Sequence, residues 1–204
     1  MTVPGRTDAA RLLLTLDPPA WFLRHSCAVA EVAAWLGARI ARAGVPIDRS
    51  LVESAALLHD VDKLVSEDDP ARRLRHGDGS ADWLARRGHP ELARAVAGHP
   101  VTRLADGDRF RRWAAFASRE ERIVAYADKR AGQRLQPMAA RFASWERRFP
   151  TDAHGWTAAT RIEIRRRAER LEADVCRAAG IRPEEVDRLP WTGAALRAAG
   201  PRRS

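Results

Sequence analysis

Apolar residues recur at helical spacing along most of this chain, and the breaks between the stripes fall at glycine and proline. Phe22, Val29, Val32, Leu36 and Ile40 form one stripe, predicting a long helix from about Ala20 to Ala43 that Gly44 terminates. Ahead of it, Asp8 to Leu16 predicts a short helix stopped by Pro18-Pro19. Asp48 is placed to cap a further helix carrying Leu51, Ala55 and Leu58. Residues 66–82 read as a polar loop leading to a short helix from Ala81 to Arg87, which Gly88 breaks. Pro90 suits the first turn of another helix, with Leu92 and Val96 on its inner face and Pro100 at its end. Residues 101–117 predict a loop and a short amphipathic piece around Trp113. Ser118-Arg119-Glu120-Glu121 has the form of a capping box and opens a helix through Ile123, Val124 and Ala127. One helix starts at Pro137, and a long arginine-rich one runs from about Thr157 to Ala179. A short helix follows near Pro183. No segment reads as a strand, so the expected fold is an all-α, single-domain helical bundle. Its parts are an N-terminal segment with a short helix (1–19), a main body (20–150), and a C-terminal arginine-rich helix and tail (151–204) packed on the same domain.

Composition agrees with that reading. The 204 residues are 45% hydrophobic and 31% charged, which allows one domain with a real core. The formal charge is +9, and Lys63 and Lys129 are the only lysines, so the surplus is almost all arginine. Such a balance suits anionic ligands such as phosphate esters, nucleotides or nucleic acid, although a solvated arginine surface accounts for most of it. Arg161, Arg165, Arg166, Arg167 and Arg170 are interrupted by Glu163, Glu169 and Glu172 and carry no interleaved aromatics, which disfavours a nucleic-acid surface. Cys27 and Cys176 show no C-x-x-C spacing, so a cytoplasmic setting is expected. No apolar run approaches membrane-spanning length, and no membrane partner is expected.

One stretch breaks the apolar pattern in a costly way. Ala55-Ala56-Leu57-Leu58 runs straight into His59-Asp60 and then Lys63. A carboxylate and an imidazole at the end of an apolar helix need a partner. Divalent metal ions suit both groups. Other ligand-type side chains fall on inward stripes or helix ends: His25 four residues before Val29, His76 ahead of a helix, His99 after Val96, and Asp128.

In that order, R-H-S-C-A-V-A with His25, A-L-L-H-D-V-D-K with His59-Asp60, and I-V-A-Y-A-D-K-R with Asp128 resemble the H…HD…D signature of the HD-domain phosphohydrolase superfamily over about residues 20–150. With His76 and His99 included, the pattern resembles the binuclear H…HD…H…H…D subset, which contains symmetrical dinucleoside tetraphosphatases and cyclic-nucleotide phosphodiesterases. The resemblance implies that His25, His59, Asp60 and Asp128 hold one metal. It implies that His76 and His99 hold a second, with Asp60 bridging. Asp62 departs from the common H-D-I-G-K variant, which has glycine there.

Two divalent metals (Fe, Mn, Co, Ni, Zn or Mg) would activate a water and neutralise phosphoryl charge, so the expected reaction is hydrolysis of a nucleotide or other small phosphoester. Asp60 and Lys63 are the candidate catalytic residues. Lys63 and Arg130 are candidates for contacting substrate phosphate, and Asp62 for supporting a ligand. Competing readings remain open. His76 also reads as a loop residue, His99 as a helix C-terminal cap, and His89 as a rival ligand or a cap before Pro90. His154 reads as an exposed residue. A di-iron oxygenase uses the same ligands, and a non-catalytic nucleotide or nucleic-acid binding module is the third alternative. Selectivity is expected from walls at 64–82 and 100–117.

Overall fold

The stripe Phe22, Val29, Val32, Leu36 and Ile40 is buried along its whole length. Burial of each large member contributes about 1.5–3 kcal/mol, so this one helix face anchors much of the core. The computed structural model describes residues 3–132, 135–148 and 155–189. Among them there is no strand, only an isolated bridge between Ala131 and Leu135.

In chain order the helices are α1 (Arg6–Leu14), α2 (Ala20–Arg42) and α3 (Arg49–Leu58), then one turn of 3-10 helix at Val61–Lys63. A second 3-10 turn (Pro70–Arg73) precedes α4 (Asp78–Arg86), and a third (Pro90–Leu92) leads into α5 (Ala93–Ala97). There follow α6 (Val101–Ala105), α7 (Gly107–Phe116), α8 (Arg119–Arg130), α9 (Met138–Arg148) and α10 (Ala158–Ala179). A final 3-10 helix occupies Pro183–Arg188. The all-α architecture read from the sequence is therefore the observed one.

Helix α2 lies at the centre and packs on α3, α8 and α10, while α1 closes the outer side of α3. Helices α3, α5 and α8 also touch one another, so the ends of four helices meet at one place. Local sequence fixes where those ends fall. Asp48 accepts the Leu51 amide at 2.9 Å to start α3. Ser118 and Glu121 close a reciprocal capping box at the start of α8. Thr157 caps α10, and Gly180 ends it in the left-handed region at φ 62°.

The structure differs from the sequence reading in three places. Helix α1 is set two residues earlier than expected, ending at Leu14. Helix α4 starts at Asp78 rather than Ala81, because Gly77 at φ 84° turns the chain sharply just before it. A Cβ at Gly77 would sit 2.6 Å from the Pro100 ring, so only glycine fits that turn. Residues 101–117 form two helices instead of a loop and one piece. The carboxylate of Asp106 makes the second, accepting the Asp108 and Arg109 amides at 3.0 and 2.9 Å. The expected C-terminal tail and His154 lie outside the described residues.

Candidate metal centre

His59 is the residue at which α3 ends, and the last carbonyls of a helix lack partners. Its Nδ1 donates to the Ala56 carbonyl at 2.7 Å, which turns Nε2 inward. His99 repeats the device at the end of α5, with Nδ1 donating to the Val96 carbonyl at 2.5 Å. The capping reading of His99 thus describes one of its two nitrogens, and the other faces the cluster. His25, from the second turn of α2, has Nδ1 3.3 Å from the Gly132 carbonyl. His76, in the turn before α4, donates from Nδ1 to the Asp62 carboxylate at 2.9 Å.

Each of the four rings therefore turns its Nε2 to one space. Nε2 of His25 and His59 stand 3.1 Å apart, and those of His76 and His99 stand 3.2 Å apart. Two unprotonated nitrogens at that distance do not bond each other, and a cation between them would satisfy both lone pairs.

Asp60 stands between the two pairs and is buried. Its Oδ2 lies 3.4 Å from His25 Nε2 and 3.5 Å from His59 Nε2. Its Oδ1 lies 3.2 Å from both His76 Nε2 and His99 Nε2. Asp128, from the last turns of α8, completes the first side, with Oδ1 3.5 Å from His25 and 3.8 Å from His59. Ligands about 2.0–2.2 Å from a metal are separated by about these distances, so the donor set fits divalent cations without rearrangement of the backbone. Three overlapping triads could hold an ion: His25–His59–Asp128, His59–Asp60–His99 and Asp60–Asp62–His76. In the last, Asp62 already accepts the Nδ1 proton of His76 and the Gly77 amide, so it supports a ligand rather than facing the shared space.

The electrostatics follow from burial and crowding. Burial pushes His59 down to about 3, against the pull of Asp60, so its imidazole is neutral. Burial also lowers His99, which stays neutral despite its contact with Asp60. Burial opposes ionisation of Asp60, but His59 and Lys63 hold it well below the usual carboxylate range. Asp128 is lowered likewise against its burial, chiefly by Lys129. Burial opposes the charge on His76, yet its bonds to Asp60 and Asp62 lift it to about 9.

Lys63 reaches Asp60 Oδ2 at 2.6 Å with its side chain 43% exposed, at the mouth of the site. A 3-10 turn brings residues three apart into line, which is why Lys63 stands over Asp60. A cavity of about 410 Å3 opens beside the cluster, lined by His25, Asp60, Lys63, His76 and Asp128 together with Pro100, Val101 and Thr102. The rest of its wall comes from Lys129 and from α9: Arg141, Phe142 and Trp145. The 100–117 wall is present at its first three residues. The contribution of α9 has no sequence signal beyond its aromatics, because its approach depends on how it docks. Lys129 is buried, donating to the His99 carbonyl and, at 3.0 Å, to Asp128 Oδ2.

Arg130 does not serve the expected phosphate contact. It is buried and turned away, donating to Glu172 at 2.9 Å, Asp187 at 2.7 Å, the Tyr126 hydroxyl, and the Gln136 and Pro183 carbonyls. It clamps α8 to α10 and to the final 3-10 helix, and it is absent from the wall of this cavity. His89 is also elsewhere, beside Glu91 at the start of the Pro90–Leu92 turn. Of the basic helix, Arg165 pairs with Glu146, Arg166 and Arg167 with Glu163, and Arg167 also caps the Leu104 and Ala105 carbonyls. These are the intrahelical and packing roles of a solvated face.

No helix among the described residues is long and apolar enough to cross a membrane. A family model described as HD domain matches residues 22–132, more than half of the 204 residues and the whole span from His25 to Asp128. No curated protein and no solved structure matches the chain.

Proposed function

The chain belongs to the HD domain family, a superfamily of metal-dependent hydrolases, and from that premise we propose that it hydrolyses a small phosphoester at a two-cation centre. The observation that carries the proposal is the split of Asp60: one carboxylate oxygen faces His25 and His59, which Asp128 also approaches, and the other faces His76 and His99.

His25, His59, Asp128 and Asp60 Oδ2 would hold one cation; His76, His99 and Asp60 Oδ1 would hold the other. When bound, such cations supply an activated water near neutral pH and neutralise the phosphoryl oxygens. The protein's own groups do the rest. The four Nδ1 hydrogen bonds keep the rings in register with Nε2 turned to the shared space, and on His76 a cation would replace the proton that Asp60 and Asp62 favour there. Lys63, half exposed at the cavity mouth, is placed to leave Asp60 and meet a phosphate oxygen. Lys129 keeps Asp128 ionised and aimed.

The test is metal analysis and a hydrolysis screen with Mn, Fe, Co or Mg over nucleotides, dinucleoside polyphosphates, cyclic nucleotides and simple phosphomonoesters. Wild type should release phosphate or nucleotide, and His59→Ala and Asp60→Ala should lose both metal and activity. Asp60→Ala protein that keeps full metal content and rate would remove the basis of the proposal. Oxygen consumption with iron alone, and no hydrolysis, would assign the centre to oxygenase chemistry instead.

A further inference from the structure

The cavity beside the cluster has two unlike sides. One side is the ligand set with Lys63; the other is α9, which presents Arg141, Phe142 and Trp145. Helix α9 lies beyond the stretch that matches the HD domain, so this wall belongs to the chain rather than to the shared framework. Arg141 and Trp145 are four residues apart and therefore share a helix face. Phe142 is buried and lines the same cavity. Trp156, which is not part of the wall, packs against Trp145 with ring centroids 5.2 Å apart and the planes inclined at 36°. The indole is thus braced by a second aromatic ring while it lines the cavity. The cavity volume of about 410 Å3 lies within the range of small-molecule sites.

We propose that α9 selects phosphoesters that carry a planar aromatic group, with that group stacked on Trp145 while its phosphate meets the cluster. This rests on the phosphohydrolase reading of the same site and names its substrate class: a nucleoside phosphate rather than a sugar or alkyl phosphate. The chemistry is general. A cluster of cations and Lys63 recognises any phosphate and gives no discrimination among its esters. An aromatic face recognises the π-face of any base and does discriminate. Arg141, at the same face, adds a cation suited to the ring or to a second phosphate.

The experiment is calorimetric titration of the metal-loaded full chain with adenosine 5′-monophosphate and, separately, ribose 5-phosphate. The nucleotide should bind at least about tenfold tighter. Trp145→Ala should erase that advantage, leave ribose 5-phosphate affinity unchanged and keep the metal content; Trp145→Phe, which retains an aromatic face, should keep most of it. Equal affinities in wild type need no variant and overturn the inference, even if Trp145→Ala fails to fold. So does an advantage that survives in Trp145→Ala. Ribose 5-phosphate bound and hydrolysed as well as the nucleotide defeats the aromatic wall alone. Neither ligand bound, with no hydrolysis, defeats both the wall and the phosphohydrolase reading.

Discussion

Asp62 accepts the Nδ1 proton of His76 at 2.9 Å, and the same carboxylate oxygen accepts the Gly77 amide at 2.9 Å. One side chain therefore fixes both the ring of His76 and the tight turn that delivers it. It does so at the position where the H-D-I-G-K variant has glycine. Asp62→Gly should weaken binding of one of two cations by about 10–100-fold and leave the other near its wild-type affinity. Asp62→Asn, whose amide oxygen can still accept, should lose much less. Titration with Mn2+ reads both values, and two unchanged affinities in Asp62→Gly would show that His76 needs no such support.

Lys63 stands at the cavity mouth, where its ammonium contacts Asp60 and leads toward solvent. Lys63→Met should keep both metals and lower kcat by about a hundredfold, since it removes a donor aimed at developing phosphoryl charge. Elemental analysis beside steady-state kinetics separates that outcome from a structural one, in which the metals leave as well.

Arg130 should matter for stability and not for metal. Its guanidinium is 1% exposed and joins Glu172 and Asp187 across two segments. Removing it strands two carboxylates, so Arg130→Leu should cost about 3 kcal/mol in urea unfolding. Metal stoichiometry per folded molecule should not change. A variant as stable as wild type would mean the clamp is dispensable.

The chelator-treated chain should be most stable near pH 6.5. His59, lowered to about 3, and His99, also lowered, refuse protons that the unfolded chain accepts below about pH 6.5. Stability therefore falls as pH drops from there, and Asp60 and Asp128, held low in the fold, steepen the loss below about pH 4. His76 has the opposite sign. Raised to about 9, it contributes stability that is full below about pH 6.5 and lost as pH rises through its folded value. Urea midpoints measured from about pH 5 to 9.5 should pass through a maximum; a midpoint that climbs steadily to pH 9 would contradict the charge on His76.

Much of this is legible in the amino-acid sequence. The stripe on α2 fixes a helix and places His25 on its buried side, because residues three and four apart share a face. His59 and His99 stand just past the ends of apolar helices, and an imidazole at a helix end finds a carbonyl for one nitrogen and frees the other. Arg130 was misread by proximity in sequence. Two residues along a helix turn about 200°, which sends Arg130 to the far side of α8 from Asp128. Helical period alone settles that point. The α9 wall was not readable, since its place depends on long-range docking and not on its own pattern. Asp106 was a missed signal: a carboxylate ahead of Gly107 and Asp108 is a cap, and it makes α7 a helix.

The contact between His25 and the Gly132 carbonyl joins positions 107 residues apart. It ties together the two ends of the stretch that holds every proposed ligand. A chain growing from its N-terminus carries His25, His59 and Asp60 long before it carries Asp128, so the first cation position stays incomplete until synthesis has passed that residue. Capture of a cation at that first position would then be a late event in the birth of the molecule, and a chain released short of α8 leaves His25 and His59 without the carboxylate that completes them. A cation that binds only the finished arrangement adds its binding energy to the whole fold at once, about 2.7 kcal/mol at a hundredfold excess over Kd.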